Sequence, residues 1–103
     1  MNIGHLLKLI RTNKGMNQVE MAHLLGISQN YLSLIESGRK EPSDEKIAGF
    51  AKYLKTSKEA LIFSTAEIPK ELKDKDREDF IRLQQNIISL LLFQLSGSMT
   101  AHV

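Results

Sequence analysis

The chain has 103 residues, with 14 Lys or Arg, 12 Asp or Glu and no cysteine. This length suits one ordinary domain, or a small domain with an appended element, and the absence of cysteine excludes a disulfide framework and a thiolate metal site. The apolar run at 87–93 is far shorter than the roughly 20 residues of a membrane span, and the N-terminus has no secretory signal pattern, so we expect a cytoplasmic protein with no membrane partner.

The positive charge is concentrated in the first part of the chain. Residues 1–63 contain nine Lys or Arg and six acids, a net charge of +3, whereas residues 64–103 contain five and six, a net charge of −1. This distribution mildly favours a polyanionic partner for the first part.

Apolar residues recur at helical spacing, with two prolines and no alternating β-branched runs, which predicts an all-α fold. The first predicted helix spans 3–13 and ends near Gly15, a natural left-handed stop. The second follows Asn17, whose side chain can cap the free amides, with Glu20 as the reciprocal partner of a capping box.

A tight turn separates the second predicted helix from the third. Gly26 permits the turn, Ser28 caps the third helix, which spans 29–37, and Gly38 closes it. Ser28 is also a candidate phosphate contact, although we favour the cap.

The fourth predicted helix follows Pro42 and Ser43, and a capping box of Thr56 and Glu59 begins the fifth. These five helices make a domain at 1–63. Residues 64–75, which include Pro69, are polar and are predicted to be a linker. The last helix is predicted at 76–96, before a tail at 97–103 that we expect to be disordered.

The second and third helices, with a Gly-Ile-Ser turn between them, form a helix-turn-helix arrangement. The match extends to several further positions. Those positions are Asn17-Gln18, Met21-Ala22, Gly26-Ile27-Ser28, Ile35-Glu36-Ser37-Gly38 and Pro42-Ser43. Together they resemble the phage repressor and Cro family of five-helix DNA-binding domains, also called the XRE family, over roughly residues 3–63.

The resemblance implies roles for particular residues. Gln18, which heads the second helix, corresponds to a contact with a backbone phosphate. Arg11 and Glu36 correspond to a structural ion pair that ties the third helix to the first. Arg39 and Lys40 lie where the loop of the family follows the sugar-phosphate backbone.

The third helix carries short polar groups on its outward face. At about 100° per residue, Leu32 faces inward, whereas Gln29 and Ser33 form an outward row with Asn30 and Leu34 beside it. Gln and Asn can bind adenine with two hydrogen bonds, Ser can donate or accept, and Leu can contact a thymine methyl group. These four residues are therefore predicted to read bases in the major groove.

Tyr31 has two interpretations between which the sequence does not choose. Its ring can stack against the turn after the second helix, or its hydroxyl can reach a phosphate. We include it among the phosphate-binding candidates.

The last helix is apolar over much of its circumference, which is unusual for a solvent-exposed helix. It is predicted to be an amphipathic dimerisation helix. The residues predicted to form the dimer contact are Phe80, Leu83, Ile87, Ile88, Leu91, Leu92 and Leu95. Two other interpretations stay open: the helix completes the core of the monomer, or it docks a partner protein through residues 76–96.

These features predict a sequence-specific regulator that binds double-stranded DNA, most simply a homodimeric repressor on an inverted-repeat operator. The first alternative is an antitoxin whose last helix binds a partner protein. The second is a protein-interaction module that no longer binds DNA. The chain has no Gly-rich phosphate loop and no metal-ligand spacing, so we expect no enzymatic activity, metal or cofactor.

Overall fold

The computed structural model describes the backbone of residues 1–95 and the side chains of residues 1–93. The described part contains six α-helices and no strand, which confirms the predicted all-α fold with an additional C-terminal helix. The helices are α1 (Ile3–Asn13), α2 (Gln18–Leu25), α3 (Gln29–Glu36), α4 (Asp44–Tyr53), α5 (Lys58–Thr65) and α6 (Asp74–Leu95). Ser96 and the predicted tail at 97–103 lie outside the described residues.

Local capping explains where α2 begins. The side chain of Asn17 accepts a hydrogen bond from the Glu20 amide at 2.8 Å, and the Glu20 carboxylate accepts one from the Asn17 amide at 2.9 Å. The predicted capping box is therefore present, and two amides that the helix leaves without partners are satisfied.

The cap of α5 is Ser57, and the prediction of Thr56 was wrong by one residue. The backbone of Ser57 is extended, and its hydroxyl accepts a hydrogen bond from the Ala60 amide at 3.0 Å. The Thr56 amide instead donates to the carbonyl of Ala51, and Lys55 is left-handed at φ 58°. The Thr56 amide therefore belongs to the C-terminal turn of α4, and Thr56 is not the N-cap of α5.

Two glycines permit the close arrangement of α1, α2 and α3. Gly26 has φ 71° and makes the turn between α2 and α3. Gly4 lies so close to α3 that a Cβ atom there would clash with the Ile35 carbonyl. The backbones of α1 and α3 therefore touch, and this contact fixes the position of α3 on the domain.

All six helices contribute to one hydrophobic core. Each fully buried Leu, Ile, Met or Phe side chain stabilises the fold by about 1.5–3 kcal/mol relative to an exposed one. The core comprises Leu6, Leu7, Ile10, Met21, Ala22, Leu25, Leu32, Ile35, Ile47, Phe50, Ala51, Leu54, Leu61 and Leu91. Leu91 belongs to α6, so the last helix packs on the same core as the first five.

The connection between α5 and α6 is shorter than the predicted linker, because both helices extend further into it. The hydroxyls of Ser64 and Thr65 bond to the Leu61 carbonyl within α5. The side-chain amide of Gln84 on α6 donates to the carbonyls of Phe63 at 3.0 Å and Ala66 at 2.7 Å. These bonds fasten α6 along α5, and within the described residues no helix is long and apolar enough to cross a bilayer.

Candidate nucleic-acid interface

The outward face of α3 presents the four residues predicted to read bases. Gln29 and Asn30 are exposed, and Ser33 and Leu34 are partly exposed, whereas the opposite face of the helix lies in the core. The structure therefore places all four where they can approach a ligand. Leu34 lies at the C-terminal end of this face, where its carbonyl accepts from the Arg39 amide.

Arg11 of α1 and Glu36 of α3 form a largely buried ion pair. Arg11 Nε donates to Glu36 Oε2 at 2.8 Å and Arg11 Nη2 donates to Glu36 Oε1 at 3.0 Å, while Nη1 donates to the Met16 carbonyl at 2.9 Å. The side chains are only 13% and 3% exposed. The hydrogen bond to Glu36 raises the pKa of Arg11, against the opposing effect of burial. A paired and hydrogen-bonded charge of this kind holds the end of α3 to α1.

Gln18 of α2 extends this pair to the outward face of α3. Gln18 Nε2 donates to Glu36 Oε1 at 3.1 Å, and Gln29 Nε2 donates to Gln18 Oε1, also at 3.1 Å. The hydrogen bonds thus run without a break from Arg11 through Glu36 and Gln18 to Gln29. The Gln29 amide keeps its Oε1 and one N–H for a ligand. The resemblance alone did not indicate that Gln18 would orient Gln29.

Tyr31 lies close to two lysines. Lys40 Nζ and Lys46 Nζ are 5.5 and 5.8 Å from the centroid of its ring, within the range of cation–π attraction. The half-buried ring lines a groove that runs from the turn at 26–28 to Ser43. Neither predicted placement of Tyr31 anticipated its contact with these two ammonium groups.

Lys46 is a cation that sequence analysis missed at this surface. It lies in the first turn of α4, where its amide donates to the Ser43 hydroxyl. Its exposed side chain reaches the ring of Tyr31 because the fold brings the amino end of α4 close to α3. The sequence carries no signal of that contact, since the two residues belong to different helices.

The remaining phosphate candidates are accessible. The Ser28 hydroxyl accepts from the Tyr31 amide at 3.0 Å, which is the favoured cap, and its own hydrogen is available to donate. Arg39 and Lys40 are exposed, and both of their amides donate to the Leu34 carbonyl. This anchors the loop after α3 and fixes the position from which the two basic side chains extend.

Most of the residues predicted to form a dimer contact pack against their own chain. Leu91 is buried in the core at 3% exposure, where a second copy cannot reach it. The ring of Phe80 packs on Phe63, with ring centroids 4.9 Å apart. Ile87, Ile88 and Leu92 are partly buried against the core. The inward face of α6 is apolar because it completes the monomer.

The outward side of α6 remains apolar at other positions. Leu83 is 51% exposed, and Leu90 and Phe93, which are absent from the predicted dimer set, are 61% and 55% exposed. The Leu95 side chain lies outside the described residues. The most exposed apolar residues of α6 thus lie on a different side of the helix from most of the residues predicted to form the dimer contact.

The helix-turn-helix family matches residues 7–61, more than half of the chain, and the protein belongs to this family. The matched region ends within α5, so α6 is outside it. This identification agrees with the resemblance found in the sequence.

Two relatives are similar to the chain. The ImmF control region 10 kDa protein of Bacillus phage phi105 is 45% identical over 49 residues, which are 48% of this chain and 54% of the phage protein. An uncharacterized HTH-type transcriptional regulator of Sinorhizobium fredii is 34% identical over 67 residues, 65% of this chain and 87% of that protein. The chain thus aligns with about half the length of the phage relative. No solved structure gives a significant match.

Proposed function

We propose that this protein is a sequence-specific transcriptional regulator that binds double-stranded DNA as a dimer and represses by occupying an inverted-repeat operator. The observation that carries the proposal is the hydrogen-bonded series from the buried Arg11–Glu36 pair through Gln18 to Gln29. This series holds the exposed amide of Gln29 in a defined position on α3, as base recognition requires.

The polar groups on α3 match the donors and acceptors in the major groove. Gln29 and Asn30 can each form two hydrogen bonds with an adenine, and each good pair contributes about 1–3 kcal/mol of discrimination against a wrong base. Ser33 can donate or accept, and Leu34 can contact a thymine methyl group. These four side chains would contact only a few base pairs, so one domain reads a short half-site.

The surrounding groups suit phosphate contacts. Gln18 and Ser28 lie at the amino ends of α2 and α3, and Arg39 and Lys40 extend from the loop after α3. Phosphate contacts of this kind set the register on the duplex without reading sequence. The names of the relatives support regulation: one is a phage control-region protein and the other an HTH-type transcriptional regulator.

Dimeric binding would join two half-sites. A two-fold dimer presents its recognition helices about 34–36 Å apart when its half-sites are one turn of DNA apart. Such a dimer on a promoter would exclude the transcription machinery, which is the simplest form of repression.

Selection of the full chain against a random duplex pool at near-physiological salt tests this function. We expect enrichment of an inverted repeat with half-site centres about 10 base pairs apart. The variant Gln29→Ala should relax one position in each half-site, whereas Gln85→Ala, an exposed glutamine on α6, should select the same sequence as the parent. A pool without enrichment would show that α3 does not read bases.

A further inference from the structure

The outward side of α6 carries a stripe that stays exposed among the described residues. The stripe consists of Leu83, Asn86, Leu90 and Phe93, all exposed. Their spacing of three, four and three residues places them within about 80° of one another at about 100° per residue. The stripe lies about 120° around the helix from Leu91, which faces the core. It has the spacing of a two-stranded coiled-coil seam.

The charges on α6 limit which surface can cover this stripe. Residues 83–93 contain no charged residue, whereas residues 74–82 contain four acids and three bases. A neutral apolar stripe is complemented by another neutral stripe, because a charged partner group would lose its hydration there. A second copy of α6 provides that surface by symmetry.

The charged segment also distinguishes the two orientations of a pair. In a parallel pair Asp79, which continues the line of the stripe, would lie beside its own copy. In an antiparallel pair centred on Ile88, Leu83 lies beside Phe93 of the other copy and Asn86 beside Leu90, while the two charged segments lie at opposite ends. Each contact then occurs twice, as a two-fold interface requires.

The exposed area indicates the strength of this contact. Leu83, Leu90 and Phe93 are 51%, 61% and 55% exposed, which together offer on the order of 300 Å². Stable interfaces bury about 800 Å² on each partner. The pair is therefore weak in free solution, and two copies on adjacent half-sites, at an effective concentration on the order of millimolar, are needed to populate it fully.

We infer that the stripe Leu83, Asn86, Leu90 and Phe93 is a weak antiparallel self-association seam, through which two copies pair mainly once they are bound side by side on DNA. The dependence on DNA rests on the proposed function. The seam itself does not, because it can be measured without DNA.

Sedimentation of the full chain without DNA tests the seam. We expect reversible association with a dissociation constant on the order of 100 μM. Leu90→Lys places a charge in the seam and should weaken association by about tenfold or more. Asn86→Leu should strengthen it, because an amide in an apolar seam loses stability. The matched control Gln85→Lys, exposed but off the seam, should associate like the parent.

Cross-linking tests the orientation, and the chain suits it because it has no cysteine. Leu83→Cys and Phe93→Cys chains should cross-link with a short bismaleimide mainly when they are mixed. Efficient cross-linking of either variant alone would show a parallel pair and overturn the antiparallel seam. Circular dichroism of each variant checks that the helices are retained.

Three further results would overturn the seam. They are a chain that stays monomeric up to about 1 mM, a dimer with submicromolar affinity, and association that Leu90→Lys leaves unchanged. A chain that stays monomeric would favour a different protein, instead of a second copy, as the partner of α6. Because these measurements contain no DNA, a result that overturns the seam leaves the proposed function unaffected. If the seam forms but the chain selects no DNA sequence, only the proposed function is refuted.

Discussion

Gln29 on the outward face of α3 donates a hydrogen bond to Gln18 on α2, with 3.1 Å between Nε2 and Oε1. Gln18 in turn donates to Glu36, so a buried carboxylate determines the direction of an exposed amide. A flexible glutamine would lose side-chain entropy on binding. Held in this way, Gln29 has already lost part of that freedom before any ligand arrives.

The two glutamines should therefore act together. Gln18→Ala and Gln29→Ala should each weaken binding to the selected duplex, and the double variant should lose less than the sum, with a coupling of about 0.5–3 kcal/mol. Titrations of the four proteins with one labelled duplex give this coupling. Val19→Ala changes an exposed neighbour on α2, and its effect should add to that of Gln29→Ala within about 0.5 kcal/mol. If the binding losses of Gln18→Ala and Gln29→Ala were additive, the contact between the two side chains would be broken in the complex.

Breaking the Arg11–Glu36 pair should destabilise the fold. Arg11→Met leaves the Glu36 carboxylate buried without its cation and should lower the free energy of unfolding by about 3–5 kcal/mol, measured by urea denaturation. Adding Glu36→Leu should recover part of this loss, since the unpaired charge is removed.

A surface pair supplies the control for that experiment. Lys75 and Asp79 are 3.2 Å apart on α6, with side chains 84% and 45% exposed, and Lys75→Met should change stability by less than about 1 kcal/mol. Equal losses in Arg11→Met and Lys75→Met would contradict a structural role for the buried pair.

The features that depend on a few neighbouring residues were predictable from the sequence. The capping box of Asn17 and Glu20 and the turn at Gly26 follow from local hydrogen bonding and backbone freedom, and the structure contains both. Ser57 was missed because a Thr-x-x-Glu pattern fits a cap as well as Ser-x-x-Ala does. Only the residues that end α4, at Lys55 and Thr56, decide between them.

The features that depend on packing were not predictable in the same way. The apolar circumference of α6 is wide enough to suit either a core or a dimer, and only the positions of α1 and α5 show which side faces inward. The approach of Lys46 to Tyr31 likewise depends on where the tertiary fold places the amino end of α4. Hydrophobic periodicity gives the faces of one helix, but not the neighbour that each face meets.

The left-handed residue after α4 offers a route to higher stability. Lys55 has φ 58°, a conformation that glycine adopts without the steric cost of a Cβ atom. Lys55→Gly should therefore raise the free energy of unfolding by up to about 1 kcal/mol. Lys52→Gly, within the last turn of α4, should instead lower it by about 1 kcal/mol. Thermal and urea unfolding of both variants would reveal whether backbone conformation decides the sign of the change in the free energy of unfolding.

Lys46 is expected to strengthen DNA binding through phosphate rather than through bases. Its exposed ammonium group lies 5.8 Å from the Tyr31 ring centroid, near Lys40 and the amino end of α4. Lys46→Gln should weaken binding to selected and unrelated duplexes alike. It should also reduce the slope of log affinity against log salt by about 0.9, the loss of one phosphate contact.

The salt slope separates this role from a contribution to the fold. Lys70→Gln removes an equal charge from the exposed connection between α5 and α6, so it controls for net charge and should leave the slope nearly unchanged. If Lys46→Gln lowered affinity without changing the slope, the lysine would act by holding Tyr31 and α4 in place. The phosphate contact would then have to be assigned to Arg39 or Lys40 instead.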